Sequence, residues 1–563
     1  MAELRFDKRA LKRFFALSGP FFTSDLRWWA IGLLTLLAAL AIINSLMGVL
    51  MSYINRDFMT ALSLKESDEF LRHLGRYLLV FACALPFNVF YSYTEQRLAL
   101  IGRKWLSHRI LKHYFSNHAF YKINSYDGID NPDQRIEEDI RSFSANSLSI
   151  LLIIFRSIID IVAFIGILYS ISLNLVFAVI VYAAFGSLFT YLLGRPLIGL
   201  DFDQLRKEAD YRYKLVNIRD NAESIAFYRD EGKEFTRARQ CLRNALRNMI
   251  RIIDRSRTVN FFTTSYNFLI HILPIVIVAP LYLHSEIEFG EISQAAGAFV
   301  QVVNALSVIV LNFRSFTGLT AVVTRLGAFW EALEDSSKDS RDSKGPRIAL
   351  KRGSHIIFKN VTIMTPRADQ TIIESLNLDL TGKSLFISGA SGTGKSSILR
   401  VLSGLWTSGK GELVRPAIEE IMFLPQRPYL MLGSFRSQFL YGIHDQGLRN
   451  AEINDVIERV GLKPTLLRVG GLNAVKDWPN LLSTGEQQRV AFGRLLLAKP
   501  KFAILDEATT ALDEVSELAL YKQLFAVSQS VVSVGYRPAL SAMHSVHLEL
   551  LADRKWKIER GAS

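Results

Sequence analysis

The chain is 563 residues long, half of them hydrophobic, with a mean hydropathy of +0.19 and a net charge of +13. That length suits either several average soluble domains or one membrane region plus one soluble domain, and the positive hydropathy favours the second. Two cysteines, Cys83 and Cys241, exclude a disulfide framework.

Residues 1–27 lack the pattern of a cleavable signal. Arg5, Lys8, Arg9, Lys12 and Arg13 alternate there with Phe6, Leu11, Phe14 and Phe15, which predicts an amphipathic helix lying in a membrane interface. Residues 28–333 read as a helical transmembrane domain with six spans. Trp28–Ile54 is uncharged over 27 positions, long enough to cross a bilayer. Tyr77–Thr94 is a second span containing Pro86, which membrane helices tolerate. Ser142–Gly194 runs 53 residues with only Arg156 and Asp160 charged, too long for one span, and Ser170–Asn174 is the natural turn inside it. Thr258–Ser285 and Ile292–Phe313 complete the six. Arg156 and Asp160 stand four residues apart on one helical face; the pair either lines an aqueous cavity or fixes helix packing.

Fifteen Lys or Arg lie between Arg195 and Arg257 and six precede the first span, whereas the short connections 171–174 and 286–291 carry none. The positive-inside bias therefore puts both long connections in the cytoplasm and accounts for the basic excess without a nucleic-acid partner. Ile110, Tyr114, Leu215, Ile218, Ala222, Ile225 and Ala226 recur at helical spacing in those connections, so the membrane helices are expected to continue into the cytoplasm. Residues 334–345 are polar and read as a linker. Residues 346–563 read as one α/β P-loop domain.

Within that domain Gly389–Ser396 spells G-x-x-x-x-G-K-S, preceded by the short apolar run Ser384–Ser388 and followed by a helical start at Ser397. Glycines let backbone N–H groups turn toward phosphates, and the helix N-terminus adds positive partial charge. Gly389, Ser391, Gly392, Thr393, Gly394, Lys395, Ser396 and Ser397 are the candidate nucleotide contacts, with Lys395 on the β- and γ-phosphates and the Ser396 hydroxyl on Mg²⁺.

Downstream, Leu482-Ser483-Thr484-Gly485-Glu486-Gln487-Gln488 is similar to the LSGGQ-type signature of ATP-binding cassette (ABC) proteins, with Thr484 replacing a glycine. Phe502–Glu507 is an apolar run ending in two carboxylates, similar to the Walker B pattern, and Ala511-Leu512-Asp513 resembles the D-loop. The resemblance implies that Ser483 and Gly485 contact a γ-phosphate, that Asp506 holds the Mg²⁺ shell, and that Glu507 polarises the attacking water. It also places Gln426 of Leu424–Tyr429 at the Q-loop, on Mg²⁺. One P-loop and one signature imply a half-transporter that completes its sites by dimerising, a homodimer being the simplest case.

Two positions depart from the family pattern. Tyr536 of Ser533-Val534-Gly535-Tyr536-Arg537 stands where a switch histidine is usual, and Ile363–Pro366 offers no aromatic for adenine stacking. Tyrosine donates through its hydroxyl but carries no charge near pH 7, so slow hydrolysis is expected.

Asn55–Leu62, Ile129–Asp139 and Asn221–Tyr228 resemble stretches shared by ABC subfamily D and the SbmA/BacA-like peptide transporters, and Trp478 fits the latter with a fused cassette. Asp133, Arg135, Glu137 and Glu138 also suit an ordinary solvated helix start behind Pro132. The resemblance implies a type IV exporter-like ABC fold in a bacterial cytoplasmic membrane, with the cassette in the cytoplasm. It implies ATP-driven movement of peptides or other bulky hydrophilic solutes such as cobalamin, with import expected. Ion- or proton-driven peptide uptake behind a weakly hydrolysing cassette, and acyl-CoA transport, are the alternatives. A soluble cassette ATPase is excluded by the apolar spans.

Overall fold

The computed structural model describes residues 8–126, 131–308, 312–338, 346–366, 368–443 and 447–560. The chain divides into two compact units, Met1–Ser337 and Lys338–Ser563. Arg5, Phe6, Ile129 and Asp130 lie outside the described residues, as do 339–345 of the linker expected over 334–345, whose first part instead ends the helix Phe313–Lys338.

In the first unit apolar runs become long helices because hydrocarbon offers the backbone no other hydrogen-bond partner. Among the described residues, five helical stretches are long and apolar enough to cross a membrane: Arg27–Ser63, Ser67–Asn124, Pro132–Ile171, Leu173–Asp220 and Glu231–Leu283. The expected sixth span, Ile292–Phe313, falls on the 18-residue helix Phe289–Leu306 and then on 309–311, outside the described residues. Gln294, Ala295, Ala298, Phe299, Val302 and Val303 of that helix are buried. The break between the third and fourth helices is Ser172, whose extended backbone (φ −162°, ψ 134°) ends one and starts the next.

The 53 residues of Glu231–Leu283 span about 80 Å at ~1.5 Å per residue, against roughly 30 Å of hydrocarbon. The helical continuation that Leu215 and Ile218 signalled is seen in Leu173–Asp220, 48 residues long and likewise longer than a span, whereas Ala222, Ile225 and Ala226 fall in the separate short helix Ala222–Tyr228. Pro86, Pro196, Pro274 and Pro280 all sit inside these helices.

Helix Arg27–Ser63 packs along Ser67–Phe115, and Leu173–Asp220 along Glu231–Leu283. The second pair is joined by the stacked rings of Tyr182 and Tyr266, 4.3 Å apart, each hydroxyl donating to the other residue's carbonyl at 2.5 and 3.0 Å. Asn55–Leu62 seats the helix Phe289–Leu306. Asn55 Nδ2 donates to Ser293 Oγ at 3.1 Å, and the Gly290 N–H donates to Thr60 Oγ1 at 3.1 Å.

The stretch Asn131–Asp139 begins with Pro132 at the first helical turn and passes through one π-helical turn, Arg135–Asp139. Its last carboxylate is not solvated: the Asp139 side chain is 5% exposed, and Arg325 grips both its oxygens at 3.0 and 2.5 Å. Arg325 belongs to helix Phe313–Lys338, which three further cations hold. Arg13 donates to both Glu331 oxygens, at 2.9 and 2.7 Å, and to the Thr324 carbonyl at 3.2 Å. Lys122 Nζ donates to Ser336 O at 3.0 Å, and Arg109 lies 4.2 Å over the Trp330 ring. Arg13 belongs to the amphipathic helix Lys8–Ser18, whose Leu17 is buried in the same cluster while Leu11 and Phe15 stay exposed.

The second unit has a four-stranded sheet of order β1-β5-β2-β3 and a six-stranded sheet of order β10-β9-β4-β8-β7-β6. The strands are β1 Ala349–Arg352, β2 Ile357–Met364, β3 Thr371–Asp379, β4 Leu385–Gly389, β5 Gly409–Arg415, β6 Ile421–Leu424, β7 Phe502–Asp506, β8 Ser530–Val534, β9 Val546–Leu550 and β10 Trp556–Arg560. β4, β7 and β8 are buried nearly throughout, as parallel strands covered on both faces must be. Trp478 is fully buried in the main core, against Phe435, with Nε1 donating to Gly433 O at 2.8 Å.

A Cβ on Gly290 would lie 1.9 Å from the Arg56 carbonyl, whereas one on Gly297 of the same helix meets nothing within 4 Å. Gly290→Ala is therefore expected to cost about 1–3 kcal/mol and Gly297→Ala almost nothing. Melting of the two variants in detergent checks this, and equal curves would refute the close contact.

Candidate nucleotide site

Ligands of open parallel sheets bind at the carboxyl ends of the strands, and the register shows what gathers there. Ile387 of β4 pairs with Val534 of β8, Val534 with Asp506 of β7, and Leu505 of β7 with Leu424 of β6. One or two residues beyond these pairs stand Gly389, Tyr536, Glu507 and Gln426. Segments up to 147 residues apart in the chain thus end on one edge.

The P-loop follows β4 directly. Gly389, Gly392 and Gly394 adopt φ of 140°, 83° and 100°, which only glycine takes without strain. A Cβ on Gly394 would lie 2.5 Å from Ile372 Cγ2. Thr393 Oγ1 donates to Ala390 O at 2.9 Å, closing the loop, and the helix Lys395–Ser403 starts immediately after it. Lys395 Nζ donates to Gly389 O and Ala390 O at 2.8 and 2.9 Å, folded over the loop it serves. Ser391 is exposed, while Ser397 is buried and its N–H donates to Gly394 O at 2.9 Å.

Ser396 Oγ donates to Asp506 Oδ1 at 3.4 Å. Burial pushes the Asp506 carboxyl above its ordinary range, against the opposing pull of Ser396, Arg400 and Lys395. A desolvated carboxylate beside a hydroxyl is a hard-oxygen donor set that fits Mg²⁺. Next to it Glu507 sits at φ 47°, a left-handed conformation that glutamate seldom takes, with its N–H on Val534 O at 3.1 Å. Gln426 Nε2 donates to Glu507 Oε2 at 3.0 Å. The two residues meet across 81 positions of sequence, each two places past a paired leucine.

Ser483 and Gly485 are not brought to the P-loop of the same chain: among the described residues no bond joins them. Ser483 caps the helix Thr484–Ala498 in a capping box with Glu486. Thr465 and Arg468 fasten Glu486, at 2.6 Å and at 2.8 and 3.0 Å. From the same helix, buried Gln488 accepts from the Ala511 N–H at 3.0 Å, and Arg537 donates to Leu512 O at 3.1 Å and to Glu517 at 2.8 Å. These anchors of the signature, D-loop and switch were missed in the sequence. They are polar residues about 20 positions apart, with no periodicity to mark them.

Tyr536 is 66% exposed at its strand end. His544 is no substitute: it is buried, within bonding distance of Leu540 O at 2.8 Å and Ser533 Oγ at 3.1 Å. At the strand end after β2, Thr365 N donates to Gln370 O at 2.9 Å and Thr365 Oγ1 accepts from the Gln370 N–H at 3.2 Å, forming a polar turn instead of an aromatic shelf. Burial holds the His544 pKa down at about 4, from an ordinary 6.5. Its neutral form is therefore favoured by folding, and that contribution is complete above pH 6.5 and lost as pH falls toward about 4. The shift corresponds to about 3 kcal/mol. Chemical denaturation across that window is expected to show a shallower pH slope for His544→Gln than for wild type, and identical slopes would contradict the burial.

The family described as "ABC transporter transmembrane region 2" matches residues 17–283, and "ABC transporter" matches residues 373–510. The chain is 39% identical over 95% of its length to an uncharacterized ABC transporter ATP-binding protein of Synechocystis, covering 82% of that protein. It is 34% identical to ABC transporter D family member 2, chloroplastic, of Arabidopsis thaliana, over 98% of this chain and 88% of the relative. With the human lysosomal cobalamin transporter ABCD4 it shares 30% identity over 99% of this chain and 98% of the relative. A bacterial Atm1-family ABC exporter solved with ATP bound superposes with a TM-score of 0.72 at 19% identity, over 94% of both chains, which shows the type IV exporter-like fold. The chain belongs to subfamily D of the ABC transporters: it is a membrane-spanning half-transporter that functions as a dimer and has an ATPase activity coupled to transport.

Proposed function

We propose that the second unit hydrolyses MgATP at a site shared between two copies of this chain, and that hydrolysis drives uptake of a bulky hydrophilic solute across a bacterial cytoplasmic membrane. The observation that carries this reading is the Gln426–Glu507 bond on the edge that also presents Ser396, Asp506 and Lys395. Gly389 and Ser391–Ser397 are assigned to the phosphates, through the loop N–H groups and the Lys395 ammonium. Ser396, Asp506 and Gln426 are the oxygen donors for Mg²⁺, which when bound neutralises phosphate charge. Glu507 is the general base, held by Gln426 and by its left-handed backbone. Ser483 and Gly485 lie away from their own P-loop and are assigned to the nucleotide of the second copy. A homodimer satisfies both sites with one sequence.

Tyr536 is assigned to the γ-phosphate through its exposed hydroxyl. A neutral donor there stabilises developing charge less than an imidazolium would, so turnover is expected to be slow. For the solute, a bulky hydrophilic molecule such as a peptide or cobalamin is supported by the 30% identity to a cobalamin transporter over nearly full length. The bacterial setting is supported by the Synechocystis relative. Tyr536 and the polar turn at Thr365 favour one second reading: ion- or proton-driven uptake gated by a weakly hydrolysing cassette.

Steady-state ATP turnover of the purified dimer tests the assignment. Glu507→Gln is expected to lower it about 100-fold or more, and Tyr536→His to change it by less than about tenfold. Wild type as inactive as Glu507→Gln, with turnover restored by Tyr536→His, would replace the ATP-driven reading with the gradient-driven one.

A further inference from the structure

A cleft of about 700 Å³ opens between the first three long helices. Helix Arg27–Ser63 contributes Asn44, Met47, Gly48 and Met51; helix Ser67–Phe115 contributes one continuous face from Phe81 to Gln96; Arg156 enters from the third helix. The lining is graded. Met51, Phe81 and Leu85 make one end apolar, and because the first two helices run antiparallel, Asn44, Asn88, Ser92 and Gln96 come together at the other.

Arg156 is the charged residue of this lining, in a run that carries no other charge over 53 residues except Asp160. Its ion pair with Asp160 is loose, 3.7 Å from Nε, and 48% of its side chain is exposed, so much of the guanidinium fork faces the cleft. Asn44 Nδ2 is buried in the described chain without a hydrogen-bond partner. A buried amide N–H left unpaired costs about 1–3 kcal/mol. A fixed cation beside amide donors, at a depth where a bare charge is costly, is what recognition of an oxyanion requires.

We propose that this cleft binds an anionic group, a carboxylate or phosphate, with Arg156 as its ionic contact. This rests on the transport reading only in taking the anion's source to be the cargo. The same chemistry on a lipid headgroup is separable by experiment.

The test uses the full-length dimer, without nucleotide, and the probe 11-(dansylamino)undecanoate beside its neutral carboxamide. Wild type is expected to bind the carboxylate about tenfold tighter than the carboxamide. Arg156→Gln should erase the preference, and Arg156→Lys should recover part of it. Monodisperse dimers on size exclusion establish that each variant folds, and Arg156→Lys carries the test if Arg156→Gln does not. No preference in wild type, or a preference that survives Arg156→Gln, overturns the proposal. In phosphatidylcholine nanodiscs with and without phosphatidylglycerol, competition by the anionic lipid upholds the site and assigns it to a headgroup; no competition upholds it for a solute anion. Because binding is read without ATP, a cassette that proves inactive while the preference persists would sink the ATP-driven reading and leave the site standing.

Discussion

Everything chemical in the second unit depends on four parallel strands, β4, β8, β7 and β6, ending in step. The register that joins Leu424, Leu505 and Asp506 with Val534 brings Gln426 against Glu507 and holds the Glu507 N–H on Val534 O. Parallel strands have no hairpin to set that alignment. It is set by β4, β7 and β8 being buried on both faces, where a slip would expose backbone polar groups to an apolar core. The left-handed backbone of Glu507 is affordable only inside such a frame.

The first unit solves a different problem, holding long helices together where apolar burial discriminates poorly between partners. Its specificity comes from small residues and polar contacts: Gly290 on the Arg56 carbonyl, Gly186 beneath Tyr266, and the reciprocal Tyr182–Tyr266 bonds. At the end of the unit the binding groups become ionic. Arg13, Arg109 and Lys122 hold Phe313–Lys338, and Arg325 of that helix holds the buried Asp139. The amphipathic helix Lys8–Ser18 is part of this fastening, since Arg13 covers Gly327 and Leu17 enters the cluster with Phe329 and Trp330. Its exposed Leu11 and Phe15 remain free to meet an interface.

Tyr536 shows how a departure from a family pattern is weighed. An exposed tyrosine at the right strand end keeps a donor in place while giving up the charge. His544, the nearest histidine in sequence, is spent on packing, and its depressed pKa marks a core residue and not a switch.

The sequence by itself determined the two-unit plan, the long helices, a break within Ser170–Asn174 and the P-loop. Each rests on local physics: an uncharged run long enough for hydrocarbon, a polar turn between spans, glycines at the positions that need positive φ. It also identified Gln426 and Glu507 singly, through resemblance. Only the tertiary structure decided that these two touch, that Asp139 is buried under Arg325, and that Thr465, Arg468 and Gln488 anchor the signature. Those contacts depend on strand order and helix packing, which leave no periodic trace. Arg156 falls between the two. Its charge in an apolar run was plain, but the cleft it faces exists only because three helices pack around it.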